Sequence, residues 1–306
     1  LTGDANLPAT LSPVVLQQLL REQLGFQGVI MTDCLEMDAI SETVGVAKGT
    51  VLAQQAGNDL LLISHRYDRQ LAGIEALKAA IQTGEIAPER IQQAAERVLA
   101  LKERLQQREQ EQPTDQSLDQ VGCEAHRQLR DQIYERSTTL VRDNEQLLPL
   151  QLEPEQRLLV VYTHREAWTR VEDKSYPEEF LVESLRQHHA NISTVALTNE
   201  TTPAEYEELY RTARETDAIL MVTVNALLDP QQAKVMQTLI ELGRPLIGLA
   251  PYSPYDLLAF PELGTYLVTY EYTRPAIAAA VRVLFGEIKP QGKLPVSLPG
   301  LYPLNQ

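Results

Sequence analysis

Apolar residues recur along this chain in two alternating patterns. Stretches with apolar positions every three or four residues alternate with short continuous apolar runs bounded by Gly, Pro or polar residues. This alternation is typical of α/β proteins with largely parallel strands. In the first third of the chain the pattern predicts strands at residues 28–32 and 59–63 and helices at 12–24, 46–56, 70–82 and from 88 onward.

A polar stretch divides the pattern in two. Residues 106–120 read QQREQEQPTDQSLDQ, which has no apolar period and therefore predicts a linker. Beyond a helix at 124–137, the predicted strands are 158–163, 193–197, 218–224, 245–250 and 266–269, and the predicted helices are 178–188, 203–216, 231–242 and 274–285. Five strands with crossover helices predict an open, doubly wound sheet.

Composition excludes several classes of function. With 27 Lys and Arg against 42 Asp and Glu, the net charge of −15 argues against nucleic acid or an anionic membrane as the main partner. Two cysteines, Cys34 and Cys123, give neither a disulfide framework nor the spacing of a zinc cluster. No apolar run reaches the ~18 residues of a membrane span, and the first ten residues lack a signal-peptide core. These features predict a reducing, cytoplasmic location.

The stretch GVIMTDCLEM places an acid directly after a predicted buried strand. From the residues alone, Asp33 is either a helix N-cap or turn acid, or a functional carboxylate at the end of the strand. Neither a dinucleotide-binding glycine motif nor a Walker A motif follows any predicted strand. The pattern of residues leaves both interpretations of Asp33 open.

Four stretches, spread in order over most of the chain, resemble glycoside hydrolase family 3 in the branch that contains bacterial β-N-acetylglucosaminidases. They are LPATLSPVVLQQLLREQLGFQGVIMTDCLEMDAI (7–40), AQQAGNDLLLIS (53–64), RSTTLVRDNEQLLPL (136–150) and VLFGEIKPQGKLPVSLP (283–299).

The resemblance implies an α/β fold with a defined domain order. Residues 1–107 would be the C-terminal part of a (β/α)8 TIM barrel, 108–138 a linker and connecting helix, and 139–306 an α/β sandwich domain with a mostly parallel sheet. A complete barrel typically needs about 250 residues, and two parallel strands do not form a stable sheet alone. We therefore expect a further barrel segment before Leu1.

The resemblance also implies a chemistry. Asp33 corresponds to the family's catalytic nucleophile, which forms a covalent glycosyl-enzyme in a retaining hydrolysis. Met37 is expected to pack beneath the sugar as a substrate-binding residue. The implied substrate is β-linked N-acetylglucosamine from peptidoglycan or chitin fragments, and no metal or organic cofactor is expected.

The acid/base is not identified by this resemblance. In the related branch it is a His paired with Asp upstream of the nucleophile motif, near the string KHFPGHG, and neither feature occurs here. The five histidines all follow Asp33, and His65 is expected to be a solvated loop residue. In other branches a Glu from the second domain serves, and Glu271 is the nearest candidate. No motif around Glu271 matches, however, and a surface or packing role is favoured for it. We expect the acid/base upstream of Leu1.

Three neighbours of Asp33 in the sequence carry an acid or a thiol. Glu36 and Asp38 flank Asp33, and Glu36 is expected to be a solvated acid at a helix start, although it is near enough to perturb Asp33 or bind a sugar hydroxyl. Cys34 is not expected to be a nucleophile, because it has no base or cation adjacent in sequence.

Alternative functions remain open at this point. The chain is either such a hydrolase, a β-glucosidase-type member of the family, or a non-catalytic fragment or carbohydrate-binding remnant. Transfer of the sugar to phosphate instead of water is a further alternative, since a neutral His repels an anionic nucleophile less than a carboxylate does. The sequence does not indicate an oligomeric state.

Overall fold

The computed structural model describes residues 7–111, 118–164 and 177–304. The chain divides into two compact units, Leu1–Gln116 and Ser117–Gln306. The predicted linker falls partly outside the described residues, at 112–117. Its first part is helical instead, because a continuous helix runs from Pro88 to Glu111 and keeps its polar end in water.

The first unit contains two parallel strands and the helices that follow them. In chain order these are β1 (Met31–Cys34), α1 (Asp38–Ser41), α2 (Val46–Ala56), β2 (Leu60–Leu62), α3 (Tyr67–Gln82) and α4 (Pro88–Glu111), after a π-helix at Val14–Gln23. The bounds of α2 match the prediction, and Gly57 ends this helix at φ +119°, a conformation that suits glycine.

The first unit is built around several small apolar clusters. One joins Leu11, Leu35, Ile40, Val46 and Ala53, which come from the 3₁₀ turn Ala9–Leu11, the loop after β1, α1 and α2. The strands themselves are less covered: Met31 is 56% exposed and Leu60 is 37% exposed. The described residues therefore bury the helix α2 side of this unit better than its strands.

The second unit is a six-stranded sheet between helices. Its strand order is β3-β8-β7-β6-β4-β5, and every neighbouring pair is parallel except β3 with β8. The strands are β3 (Thr139–Asp143), β4 (Leu158–Thr163), β5 (Ile192–Leu197), β6 (Ala218–Val222), β7 (Leu246–Ala250) and β8 (Thr265–Val268). The helices are α5 (Glu124–Ser137), α6 (Pro177–Arg186), α7 (Pro203–Arg214), α8 (Pro230–Glu241) and α9 (Arg274–Leu284).

Both faces of this sheet are buried. Alternate residues of one strand enter two different apolar clusters: Leu159 and Val161 pack on one face, and Leu158 and Val160 on the other. Side chains alternate across a strand, so a continuous apolar run is the expected sequence of a strand covered on both sides. The sheet is therefore the middle layer of an α/β sandwich.

The predicted fold class is confirmed. The chain is α/β, its first unit has the parallel strand–helix arrangement of a (β/α)8 barrel, and its second unit is a mostly parallel, doubly wound sheet. The pattern missed β3, an antiparallel edge strand whose TLVRD sequence mixes polar and apolar residues. Within the described residues, no helix has both the length and the hydrophobicity that crossing a bilayer requires.

Candidate active site

The strand that carries Asp33 is irregular at this residue. Met31 pairs with Leu60 and Cys34 pairs with Leu62, so three steps along β1 correspond to two along β2. One extra residue in β1 is a bulge-type irregularity, a feature that often re-aims a side chain next to an active site. The predicted strand ended before Asp33, whereas the observed strand includes it.

The bulge separates a buried residue from an exposed one. Thr32 is buried, and its hydroxyl oxygen accepts a hydrogen bond from the N–H of Leu62 at 2.9 Å, which ties the two strands together. Asp33 is exposed, and its Oδ1 accepts the N–H of Cys34 at 2.6 Å. The carboxylate of Asp33 therefore lies at the carboxyl end of β1, anchored to the backbone on one side and open to solvent.

Glu36 links the loop after β1 to the start of α3. Its side chain is only 6% exposed, and its Oε2 accepts the N–H of His65 at 2.6 Å. Desolvation alone would raise the pKa of the Glu36 carboxyl, but the N–H groups of His65 and Arg66 and the positive charge of Arg69 together lower it. The expectation of a solvated helix-start acid is wrong for Glu36, because these donors draw the side chain across to the next loop.

Cys34 and His65 approach each other through this link. The Sγ of Cys34 lies 3.7 Å from Oε2 of Glu36, and one donor atom from each of Cys34, Glu36 and His65 lies within 4.8 Å of the other two. His65 is exposed, as expected for a loop residue. This proximity could not be predicted from the sequence, because His65 lies 31 positions after Cys34 along the chain.

Met37 and Asp38 lie at the start of α1. Met37 precedes the helix and is 54% exposed, so its apolar side chain is available at the surface near Asp33 in the chain. Asp38 occupies the first turn of α1, where a carboxylate favours the helix dipole.

Glu271 belongs to the second unit and has a local partner. It is exposed, follows β8, and its carboxylate accepts a hydrogen bond from the hydroxyl of Tyr134. Burial and this carboxylate raise the pKa of Tyr134. The contact fits the surface or packing role that the sequence favoured for Glu271.

Comparisons with known proteins identify relatives of this chain. Residues 1–101 match the protein-family model described as "Glycosyl hydrolase family 3 N terminal domain". A solved family 3 β-N-acetylglucosaminidase from Paenibacillus sp. str. FPU-7 is 34% identical over 94% of this chain, with a TM-score of 0.80. A fungal multi-domain family 3 β-N-acetylglucosaminidase is also 34% identical, over 97% of this chain, with a TM-score of 0.84.

The chain belongs to glycoside hydrolase family 3. Among curated proteins, β-hexosaminidase A from Pseudoalteromonas piscicida is 24% identical over 95% of this chain. A protein named lysosomal β-glucosidase from Dictyostelium discoideum and one named β-xylosidase from Formosa agariphila also match, each at 22% identity.

The match covers only part of each of these proteins. The chain spans 53% of the length of β-hexosaminidase A, 54% of the Paenibacillus structure and 34% of the fungal one.

Proposed function

We propose that this family 3 chain carries the nucleophile of a retaining β-N-acetylhexosaminidase-type glycoside hydrolase. The observation that carries the proposal is the exposed carboxylate of Asp33, held at a bulge at the carboxyl end of β1. Active sites of barrel enzymes gather at the carboxyl ends of strands. A carboxylate in this position has both an open approach for a sugar and a backbone anchor.

The proposed reaction has two steps. The Asp33 carboxylate attacks the anomeric carbon and forms a glycosyl ester, while a general acid protonates the departing oxygen. The same group, now a base, then takes a proton from the water that cleaves the ester. We propose that this acid/base does not lie in the loops after β1 and β2 but comes from another part of the protein, as the family resemblance implies.

N-acetylglucosamine is the proposed sugar. Its support is the naming of the two 34% identical structures and of the curated β-hexosaminidase. The competing β-glucosidase assignment predicts a higher kcat/KM on an aryl β-glucoside than on the matching aryl β-N-acetylglucosaminide. Measuring both substrates with one enzyme preparation decides between these assignments.

Replacing the nucleophile tests the proposal directly. In the full-length gene product, we expect Asp33→Ala to reduce nitrophenol release from an aryl β-N-acetylglucosaminide to background. Added azide should restore part of the rate, because it enters the space left by the carboxylate and yields a glycosyl azide of inverted configuration. The matched control is Glu42→Gln, which neutralises an exposed acid nine residues away and should keep the rate. An active Asp33→Ala protein would overturn the assignment.

The same assay on the 306-residue chain separates the remaining alternatives. Turnover that depends on Asp33 would place the acid/base within this chain, against our expectation. No turnover by the folded chain, with turnover by the full-length product, would support a divided site. No turnover by either would favour a carbohydrate-binding remnant, which isothermal titration with N-acetylglucosamine oligomers would then test. Product analysis in phosphate buffer distinguishes hydrolysis from formation of a sugar phosphate.

A further inference from the structure

A mixed set of donor atoms lies beside Asp33. Cys34 is the last residue of β1, Glu36 comes from the loop after β1, and His65 comes from the loop after β2. One thiol sulfur, one carboxylate oxygen and one imidazole nitrogen lie within 4.8 Å of one another. The two loops meet here because β1 and β2 are parallel neighbours, whose carboxyl ends share one edge.

The separations suit a tetrahedral ion of the zinc class. Bonds of about 2.3 Å to sulfur and about 2.0 Å to oxygen or nitrogen place donor atoms about 3.3–3.5 Å apart at tetrahedral angles. The observed distance from Cys34 Sγ to Glu36 Oε2 is 3.7 Å, so this pair needs to close by only a few tenths of an ångström. The imidazole of His65 is on an exposed loop and can close the rest.

The donor chemistry also suits such an ion. Thiolate and imidazole are the ligands that zinc takes in preference to calcium or magnesium, and carboxylate completes three-ligand sites that keep a fourth position for water. A thiolate and a carboxylate together carry two negative charges, which balance a divalent cation. The thiol of Cys34 would release one proton to solvent when the sulfur–metal bond forms.

Glu36 is already held in place without a metal. Its Oε2 accepts the N–H of His65 at 2.6 Å, and its Oε1 faces a guanidinium nitrogen of Arg69 at 3.9 Å. The first contact pre-orients the carboxylate. The second places a competing cation at the site, so Arg69 opposes metal binding.

We propose that Cys34, Glu36 and His65 form a binding site for a zinc-class divalent cation at the mouth of the candidate active site. Occupancy places a cation one residue from Asp33 and fixes both loops. If Asp33 is the nucleophile proposed above, a bound ion inhibits the enzyme by attracting that carboxylate and obstructing the approach of the sugar. The site itself does not depend on that assignment.

Cobalt provides a readout that needs no substrate. Titration of the 306-residue chain with Co²⁺ should give saturable one-to-one binding and a thiolate-to-cobalt charge-transfer absorption, which Zn²⁺ abolishes by displacement. We expect Cys34→Ser to remove the charge-transfer band. His65→Ala and Glu36→Gln should each weaken Co²⁺ binding by at least about 10- to 100-fold, the range already seen for loss of outer-shell partners.

Two further variants sharpen the test. Cys123→Ser removes the other free cysteine and should keep the band unchanged. Arg69→Gln removes the competing cation and should tighten binding. Far-UV circular dichroism confirms that each variant is folded.

The outcomes separate the metal site from the proposed function. A band that persists in Cys34→Ser, a band lost in Cys123→Ser, or no saturable binding would overturn the metal site, whatever the enzyme does. If the spectra behave as expected, the ratio of turnover with and without Zn²⁺ tests the inhibition. Zn²⁺ should inhibit the wild type and spare Cys34→Ser.

Discussion

The two units each bury a carboxylate, and they surround it in opposite ways. In the first unit the Asp59 side chain is fully buried and accepts hydrogen bonds from Arg21, Arg90 and Arg97 and from the N–H of Ile30. These contacts range from 2.5 to 3.2 Å. Asp59 thus joins the π-helix, the residue that precedes β1, and α4.

In the second unit the buried carboxylate is that of Asp256. It lies in the 3₁₀ turn Pro254–Ala259 and is fully buried, and neither carboxylate oxygen has a hydrogen bond of good geometry within the described residues. Burial raises the pKa of its carboxyl, and the nearby N–H groups of Ala226 and Leu227 and hydroxyl of Thr223 offset this only in part.

The difference shows two uses of a buried acid. The sheet of the second unit is held by apolar packing on both faces, and it tolerates one poorly solvated carboxyl. The first unit has two short strands and small apolar clusters, and a charged crosslink joins its elements. Three cations around one anion remain acceptable because the arginine side chains keep 14–33% of their surface exposed.

The largest effect is expected from Asp59→Asn. This change keeps the shape but leaves three partly buried guanidinium groups without their anion, and breaking a buried ion pair costs about 3–5 kcal/mol. Hydrogen–deuterium exchange should show lost protection in peptides from the first unit. The control is Asp68→Asn, which removes an exposed, solvent-screened pair with Arg66 and should change the free energy of unfolding far less. Equal effects of the two changes would contradict the crosslink.

A smaller, pH-dependent effect is expected from Asp256→Asn. Because the pKa of Asp256 is raised in the folded state, the residue does not reduce the free energy of unfolding below its unfolded pKa of about 3.9. As pH rises from there toward the folded pKa, the carboxyl ionises more readily in the unfolded chain, and the free energy of unfolding of the wild type falls. The stability of the variant relative to wild type should therefore rise with pH in that window, by at most about 1.4 kcal/mol per unit, and then level off.

Urea unfolding at several pH values measures this difference. Glu183→Gln, which removes an exposed carboxylate of α6, is the matched control. If both variants show the same pH dependence, burial is not what distinguishes Asp256.

The smallest effect on stability is expected from the capping box at the start of α7, which acts only within the first turn of that helix. Thr202 caps α7 by accepting the N–H of Glu205, and the Glu205 carboxylate accepts the N–H of Thr202 at 2.6 Å. Thr202→Ala should cost about 1 kcal/mol, with faster amide exchange confined to the first turn of α7. Thr202→Ser should restore the protection. Loss of protection across the whole sheet would show that this cap is not local.

Apolar patterning predicted the parts of the fold that depend on burial. All five residues of β6 and of β7 are buried, which is why continuous apolar runs marked them. The antiparallel strand β3 was not predicted, because an edge strand pairs on one side only and its sequence mixes polar and apolar residues. The helical segment 106–111 escaped because a polar helix end needs no apolar stripe.

The sequence could locate candidate site residues along the chain, but it could not predict their contacts in space. The resemblance pointed to Asp33, whose role as nucleophile stays a prediction, as does that of Met37. The bulge in β1 depends on pairing with β2, which no local pattern reports. The approach of His65 to Cys34, and the burial of Glu36, arise from the meeting of two loops.

The pairing of β3 with β8 has a consequence for biosynthesis. Thr139 lies opposite Val268, and the N–H of Gly292 donates to the carbonyl of Thr138, so the start of the sheet is closed by residues made far later. Long-range pairings of this kind slow folding. While the ribosome adds the intervening residues, β3 has no partner strand. A product terminated before residue 265 would lack β8, so its β3 would have no strand of the sheet to pair with.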